Sequence, residues 1–246
     1  ELNAGQGGVL LIDPARITIA DGAPPQAPAV DTLYETDIEA QLQRGTNVVI
    51  NASQEIIVNN LSDDILDGVG NNQNNNNNGN LLLALGEIGF EALSNFQETG
   101  RLIDSGNINQ IQRPVTGDII FQDMTDTVQV GGNFQVIGAT SSGSTTLGNI
   151  TAGGNIDVDS ANITTGRLSS ESSLIHLRAP QGDITVNGNI DVNNVNSVMN
   201  RSIIENNNGT MTTINEINGD ARLRIEGTTG SVISISGDVK VNAQNG

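Results

Sequence analysis

The chain has 246 residues, enough for one large domain or two modest ones, yet it holds only four Phe, one Tyr and no Trp, which is few for a compact globule of this length. Its formal net charge of −18, with one lysine and nine arginines, excludes a basic phosphate-binding surface, so we expect neither a nucleic-acid partner nor a polybasic membrane contact. The absence of cysteine excludes disulfides and thiolate metal sites, and a charged fraction of only 15% argues against disorder.

The first part of the chain is typical of short strands around one helix. Residues 9–12 and 16–19 predict two strands separated by an Asp-Pro break, and residues 20–31, with three prolines, predict a loop. A short helix is predicted over residues 36–45. There Thr36 and Glu39 have capping-box spacing, and Ile38 and Leu42 lie one turn apart. We expect this helix to cover one open end or flank of the strands that follow at 48–50 and 56–58.

The middle of the chain is harder to interpret. Residues 59–80 predict a loop or excursion, and its second half is almost pure asparagine, for which a solvated loop is favoured over an asparagine ladder or an aggregation-prone tract. Residues 81–85 resume the apolar core. Residues 86–97 fit either a strand pair or a helical excursion, because their periodicity does not separate the two. A further loop or excursion is predicted at 199–213.

A glycine-led phrase recurs through the second half of the chain. Each copy has a glycine and an Asn or Asp, followed by alternating apolar and polar residues, which is typical of a turn leading into a short strand. Such a unit can bury its apolar side only against copies of itself, so the pattern predicts an all-β solenoid with comparable positions about 20–30 residues apart. The clearest copies begin at Gly117, Gly132, Gly154, Gly182, Gly188 and Gly237.

The repeat continues to the last residues without a polar cap. We therefore expect residues 1–246 to form a single solenoid segment of a longer chain.

Four motifs near the start of the chain carry a resemblance: VLLIDPARITI at 9–19, IEAQL at 38–42, GTNVVINAS at 45–53 and IIV at 56–58. With them, most of the chain resembles the filamentous-haemagglutinin-like large exoproteins of the bacterial two-partner secretion pathway, specifically over residues 9–58 and generically for β-helices elsewhere. The Gly-Asn-Ile and Gly-Asp-Ile phrases after residue 116 resemble the family more loosely. The Asn-Pro motifs of the family's secretion domain do not occur, which makes this stretch similar to the interior of the stalk.

The resemblance implies a right-handed parallel β-helix in an exported adhesin or cell-surface fibre, located extracellularly or on the bacterial surface. It implies an outer-membrane two-partner secretion transporter as partner of the full-length protein, and adhesion to a protein or glycan on a host or neighbouring cell. Lateral self-association of such rods is a further expectation.

No catalytic, cofactor-binding or metal-binding residue is predicted. His176, the only histidine, alternates with Ile175 and Leu177, and no nucleophile or orienting acid lies near it in sequence, so we expect an exposed histidine on an outer strand face. Asp157 and Asp159 share one face of a strand, and stacked on Asp183 or Asp191 they could hold Ca²⁺. The Gly-Gly-x-Gly-x-Asp calcium motif is missing, so a solvated acidic face without a cofactor is favoured.

The alternative function is that of a carbohydrate-active enzyme, a polysaccharide lyase or hydrolase. Such an enzyme needs acids and a basic residue grouped on one face, for which the candidate cations are Arg167, Arg178, Arg222 and Arg224. Aromatic platforms for sugar stacking are almost absent, and fold alone is weak support for function. The structural role is therefore the leading hypothesis, and the chain is not expected to be an enzyme.

Overall fold

Three sheets of parallel strands run through the computed structural model, which describes residues 8–69, 79–102, 111–172, 174–194, 200–206, 210–216, 221–228 and 230–243. In chain order the elements are β1 (Val9–Ile12), β2 (Arg16–Ala20), β3 (Thr32–Tyr34), α1 (Glu35–Leu42), β4 (Asn47–Ala52), β5 (Glu55–Val58), β6 (Ile65–Asp67), β7 (Leu81–Leu85), β8 (Glu87–Ile88), α2 (Phe90–Thr99), β9 (Ile111–Gln112), β10 (Asp118–Phe121), β11 (Thr127–Val130), β12 (Phe134–Ile137), β13 (Thr145–Leu147), β14 (Asn149–Ala152), β15 (Ile156–Asp159), β16 (Ile163–Thr165), β17 (Leu168–Ser170), β18 (Leu174–Arg178), β19 (Ile184–Val186), β20 (Ile190–Asn194), β21 (Asn200–Asn206), β22 (Thr210–Glu216), β23 (Ala221–Gly227), β24 (Ile233–Ile235) and β25 (Val239–Ala243).

The chain visits the three sheets in a fixed order. Sheet 1 has the strand order β1-β4-β7-β12-β15-β18-β23-β21-β22, sheet 2 has β24-β19-β16-β13-β10-β5-β2-β3, and sheet 3 has β25-β20-β17-β14-β11-β6. From β4 onward each coil, for example β12, β13 and β14, adds one parallel strand to each sheet before the next coil begins. The first stretch instead adds β1 to sheet 1 and both β2 and β3 to sheet 2, and the β21–β22 hairpin is an addition to sheet 1. The fold is therefore all-β, parallel and solenoid-like, as the glycine-led repeat predicts.

Coil length explains the irregular spacing of the repeat. In sheet 1, Phe134 pairs with Ile156 and Ile156 pairs with Ile175, so the central coils take 22 and 19 residues. Elsewhere a step is longer because an excursion interrupts it, as between Ile175 and its next partner, Leu223.

The core is a stack of aliphatic columns rather than a globular centre. Phe134, Ile156, Ile175 and Leu223 occupy one inward column of sheet 1, and each side chain is completely buried. Burial of one such side chain is worth about 1.5–3 kcal/mol, so a few large apolar residues per coil are enough. This arrangement accounts for the low aromatic content.

Asparagine and aspartate side chains link successive coils at the turns. Before sheet 1, Asn80 Oδ1 accepts a hydrogen bond from the backbone N–H of Asn133 (2.6 Å), and Asn133 Oδ1 accepts one from the backbone N–H of Asn155 (2.8 Å).

The turns before the other two sheets have the same kind of link. Before sheet 3, Asn149 and Asn189 accept the equivalent bonds from the backbone N–H groups of Arg167 and Asp238. Equivalent bonds before sheet 2 run from Ser144 to Asp118, from Asp183 to Asn162 and from Val232 to Asp183. The recurring polar residue thus satisfies a backbone donor of the next coil.

The accompanying glycines are required by space at two turns where the backbone has no positive φ. A Cβ on Gly166 would lie 2.6 Å from Asn149 Oδ1, and one on Gly237 would lie 2.5 Å from Asn189 Oδ1. Neither residue is in the left-handed region. The glycine leaves room for the preceding coil's asparagine, which is a different reason from the turn flexibility that the repeat suggests.

Helix α1 covers the N-terminal edge of sheet 3. Ile38 and Leu42 are buried in the main core, as their spacing predicts. At the edge strand β6, the backbone N–H of Asp67 donates to Glu39 Oε1 (2.7 Å), and Gln43 Nε2 donates to the Asp67 carbonyl (2.7 Å). These side chains therefore hydrogen-bond backbone groups of the edge strand β6, which would otherwise be open to pairing with another strand.

The helix predicted over 36–45 is confirmed, although it spans Glu35–Leu42. The predicted capping box is wrong, because the N-terminus of α1 has no side-chain cap. Thr36 Oγ1 donates a hydrogen bond to the Gly22 carbonyl, and Glu39 accepts one from the backbone of β6.

Two excursions leave the coils. One carries β8, α2 and β9 between β7 and β10, so the helical alternative for residues 86–97 is correct. The other is the antiparallel hairpin of β21 and β22, which begins within the predicted excursion at 199–213 and extends just beyond it. Strand β21 pairs with β23 at the end of sheet 1.

The predicted loop 59–80 contains strand β6, while most of its asparagine tract, residues 70–78, lies outside the described residues. Among the described residues, no helix is long and apolar enough to cross a membrane.

Candidate functional site

The outward side of sheet 1 changes character along the stack. Its first strands present apolar residues, which α2 and β9 cover to form a second, smaller core. The buried members of this core are Val49, Leu82, Ala84, Ala92, Phe96, Leu102, Ile111 and Ile137. The later strands present charged residues instead. We call this later part the charged face of sheet 1, formed by Gln135, Asp157, Asp159, His176, Arg178, Arg222, Arg224 and Glu226 together with Arg101 and Arg113 of the excursion.

Strand register sets the neighbours within the charged face. His176 lies between Asp157 of β15 and Arg224 of β23, and Arg178 lies between Asp159 and Glu226. The parallel, in-register stack places these residues side by side although about 20 to 50 residues separate them in sequence.

Asp157 is held by three charge-assisted or polar hydrogen bonds. Arg101 binds it in a bidentate manner, with Nε donating to Oδ2 (3.0 Å) and Nη2 donating to Oδ1 (2.9 Å). Gln135 Nε2 donates to Oδ2 as well (3.0 Å). The carboxylate is completely buried, so these donors replace the water it has lost.

Asp159 is buried in the same way between two arginines. Arg113 Nη1 donates to Oδ1 (2.7 Å) and Arg178 Nη1 donates to Oδ2 (2.9 Å). Arg113 also donates to the backbone carbonyls of Gly138, Ala139 and Asp159. Arg101 and Arg113 therefore fasten the α2 excursion to sheet 1 at two points.

His176 bridges the inner and outer parts of the charged face. Its Nε2 lies 3.4 Å from Glu226 Oε2, and its Nδ1 lies 4.0 Å from Asp157 Oδ1. The hydrogen bond with His176 lowers the pKa of Glu226 to about 2, and the charges of His176, Arg224 and Arg178 act in the same direction against the effect of burial. Glu226 is therefore a carboxylate at neutral pH.

The accessible chemistry of this face is mainly cationic. Asp157 and Asp159 have no solvent exposure, so neither can contact a substrate directly. By contrast, the side chains of Arg178 and Arg224 are 42% and 46% exposed, and Arg222 is exposed beside them. Of the three acids named in this face, Asp157, Asp159 and Glu226, the last reaches solvent, at 20% exposure.

Two sequence expectations are wrong here. His176 is only 5% exposed rather than an exposed strand residue, and Asp157 and Asp159 do not form a solvated acidic face. The acids also do not stack on Asp183 or Asp191: Asp183 precedes β19 of sheet 2, and Asp191 pairs in register with Ser169 and Lys240 of sheet 3. The local alternation correctly indicates the outward direction, but the covering arginines come from a distant excursion.

Of the four arginines considered for an enzyme, Arg178, Arg222 and Arg224 come together. Arg167 lies beside sheet 3, where its Nη2 is 3.3 Å from Asp191 Oδ2. Arg101, Arg113 and Glu226 were not identified from the sequence, and no local pattern marks them.

A second group of acids surrounds the start of α1. Glu35 is 5% exposed, its Oε1 accepts a hydrogen bond from the Gly22 N–H (2.8 Å), and burial raises its pKa to about 7, with the charges of Asp21 and Asp63 adding to the effect. Among the described residues, no three His, Asp or Glu side chains are grouped so that they could hold a metal ion.

Comparison with known proteins gives no match to a family model, to a curated protein or to a solved structure.

Proposed function

We propose that the chain is a structural and interaction segment of an exported bacterial surface adhesin or cell-surface fibre. It forms a rod wound as a right-handed parallel β-helix and presents its loops and outward faces for adhesion. The observation that supports this proposal is the fixed order in which each coil from β4 onward adds one parallel, in-register strand to each of the three sheets.

General rules of strand connection and of coil stacking support both the right-handed winding and the role as a structural segment. A connection that returns to the same sheet with a parallel strand is right-handed in about 98% of cases, which favours a right-handed coil. Stacked coils grow in one dimension, and their excursions, such as α2, can be added outside the core without disturbing the columns. Both properties suit a long spacer that displays binding surfaces.

Export through an outer-membrane partner transporter of the two-partner secretion pathway belongs to the same proposal. It rests on the resemblance at residues 9–58 and is consistent with a chain free of cysteine. Adhesion to a protein or glycan of a host or neighbouring cell, and lateral association of rods, belong to it as well.

Cell binding is the test of this function. Fluorescent beads coated with the chain are incubated with epithelial cells and with bacterial cells, and beads coated with an unrelated acidic protein of similar net charge serve as the control. Binding above the control, competed by the soluble chain, is the expected result. Equal binding of the two bead types to every cell tested would contradict the adhesive role.

A polysaccharide lyase or hydrolase is the second candidate, favoured by one observation. The charged face groups Glu226, His176 and three accessible arginines on one side of sheet 1. If this face were catalytic, Glu226→Gln would abolish the turnover that the native chain shows on a panel of neutral and uronate-containing polysaccharides. Absence of new reducing ends and of unsaturated products across the panel would remove this candidate.

A further inference from the structure

The hairpin of β21 and β22 is an insertion in a coil that closes without it. In sheet 1, Leu223 follows its column neighbour Ile175 after 48 residues, whereas the step from Phe134 to Ile156 takes 22. Removal of residues 195–220, which contain both hairpin strands, would shorten the step from Ile175 to Leu223 to 22 as well.

The connection that remains would match one that the molecule already uses. Val192 of β20 lies in the same column of sheet 3 as Ser170 of β17, and four residues separate Ser170 from Ile175 in sheet 1. Without residues 195–220, four residues would also separate Val192 from Leu223. The hairpin is therefore not needed to carry the chain from sheet 3 back to sheet 1.

The hairpin folds back onto the coil that follows it. Strand β21 pairs in parallel with β23 over seven residue pairs, from Asn200 with Ala221 to Asn206 with Gly227. It lies on the side of β23 opposite to β18, so it has the position and direction of a strand from one further coil. Strand β22 then pairs antiparallel with β21 and forms the edge of sheet 1 among the described strands.

Burial within this coil indicates what the hairpin covers. The inward residues of β23, Ala221, Leu223 and Ile225, are completely buried, whereas Ile233 of β24 and Val241 of β25 are only partly buried. In the described part of the chain, β23 has a strand on both sides, while β24 and β25 are edge strands of their sheets. The added strand β21 therefore completes the burial of β23.

The two neighbouring edges have other features that disfavour strand pairing. Strand β24 has only three residues, and β25 carries Lys240, the single lysine of the sequence. Short edge strands and an edge lysine both disfavour pairing with another chain. Strand β23 has seven residues and is the longest of the three, so its edge has the greatest need of a cover.

We propose that the β21–β22 hairpin is a cap that keeps the edge of β23 from pairing with β23 of a second copy. This inference goes beyond the adhesive function and does not depend on it. An uncovered β23 would present a row of unpaired backbone N–H and C=O groups beside apolar side chains, which is the usual site of strand addition.

Strand β23 is complementary to itself in the antiparallel direction. Full overlap of residues 221–227 with the same residues of a second copy sets Arg222 of each copy opposite Glu226 of the other. This pair occurs twice because the arrangement has two-fold symmetry, and only Arg224, at the centre, meets a like charge. The occupant of an uncovered edge is therefore a second copy in a closed dimer.

An engineered disulfide tests the pairing of the hairpin, because the sequence has no cysteine. Ile203 and Arg224 are register partners, and neighbouring strands lie about 4.8 Å apart, within the range that a disulfide bridges. The variant with Ile203→Cys and Arg224→Cys should form an intramolecular disulfide on mild oxidation. The control with Ile203→Cys and Arg222→Cys is shifted by two residues along the strand and should not.

Sedimentation velocity tests the cap itself. The full chain should be monomeric, and a variant without residues 195–220 should form a dimer whose fraction rises with protein concentration. Arg222→Glu in this deletion variant places like charges opposite each other at two points and should weaken the dimer about tenfold. The control Arg44→Glu makes the same charge change at an exposed position after α1 and should leave the dimer unchanged.

A second variant opens the hairpin without deleting it. Ile203→Pro removes a backbone donor from β21, which lies between two strands of sheet 1, and should produce the same dimer. The oxidised disulfide variant should stay monomeric. Circular dichroism establishes that each variant is folded before its association is compared.

Four results would overturn the proposal: no disulfide in the register pair, an equal disulfide yield in the shifted control, a folded variant with an open or deleted hairpin that stays monomeric, or equal weakening of the dimer by Arg44→Glu. A full chain that dimerises as strongly as the deletion variant would overturn it as well, because the hairpin would then not prevent association.

Discussion

At the scale of single residues, the glycine and the asparagine of neighbouring coils act as a pair. Asn149 Oδ1 accepts a hydrogen bond from the Arg167 N–H (2.9 Å) and Asn149 Nδ2 donates to the Thr125 carbonyl (2.8 Å). The residue before Arg167 is Gly166, whose missing side chain leaves space for this amide. The identity of each residue is therefore fixed by its neighbour in the next coil.

A double-mutant cycle tests this pairing. Gly166→Ala should cost about 2 kcal/mol because the added methyl group meets Asn149 Oδ1. Asn149→Ala alone should cost about 1–2 kcal/mol through its two lost hydrogen bonds. The double variant should lose less than the sum, since the remaining contacts of the methyl group are no closer than 3.1 Å. Free energies of unfolding from urea titrations measure the cycle, and strictly additive values would contradict it.

Glu35 predicts a pH dependence of stability. Its pKa is about 7 in the folded state, raised by burial, against 4.5 in the unfolded chain. Between these values the folded state holds a proton that the unfolded state has released, so the contribution of Glu35 to stability falls as pH rises from 4.5 to 7. Glu35→Gln keeps the acceptor for Gly22 and removes the charge.

The Glu35→Gln variant should be more stable than the native chain at pH 8 by on the order of 1 kcal/mol, and nearly equal to it at pH 4.5. Thermal unfolding across this range provides the measurement, with the exposed Glu171→Gln as the control. A native and a variant curve that remain parallel would show that Glu35 does not titrate in this window.

At the scale of elements, buried ion pairs attach the α2 excursion to sheet 1. Asp157→Asn removes the fully buried carboxylate that Arg101 binds in a bidentate manner, which should cost about 3 kcal/mol. Asp191→Asn breaks an outward pair of the same type, but Arg167 is 56% exposed there, so the cost should stay below about 1 kcal/mol. Urea unfolding compares the two, and equal losses would contradict a role for burial.

The parts of the fold that could be predicted are those with local causes. Alternation and turn residues give β1, β2, β4 and β5 close to their observed bounds, and Ile38 and Leu42 indicate α1. Helix α2 was one of two open alternatives because what decides it is tertiary: Phe96 and Ala92 are buried against the outward side of sheet 1.

The contacts of the charged face could not be predicted from local patterns, because they join residues that are far apart in sequence. Alternation places Asp157 and His176 on the outward side, and an outward strand position is usually solvated. Arg101 lies 56 residues before Asp157, and Arg113 lies 46 residues before Asp159, so no spacing rule connects them. Their burial depends on an excursion whose path the sequence does not indicate.

At the scale of the whole molecule, stability should vary along the stack because each coil contacts only its neighbours. Ile163 and Ile233 are equivalent positions in sheet 2, linked through Ile184 by strand pairing. Ile163 has a coil on each side and is 1% exposed, whereas Ile233 is in the last described strand of the sheet and is only partly buried.

The same substitution at these two positions therefore tests whether the molecule behaves as a one-dimensional stack. Ile163→Ala should cost about 3–4 kcal/mol, because it leaves a cavity between two coils that cannot collapse, and Ile233→Ala should cost about 1 kcal/mol. Hydrogen exchange followed by mass spectrometry should show faster exchange through the central coils in the first variant, and only in β24 and its neighbours in the second. If both variants accelerate exchange uniformly from α1 to β25, the coils unfold as one cooperative unit, and the additive description of the stacked coils is wrong.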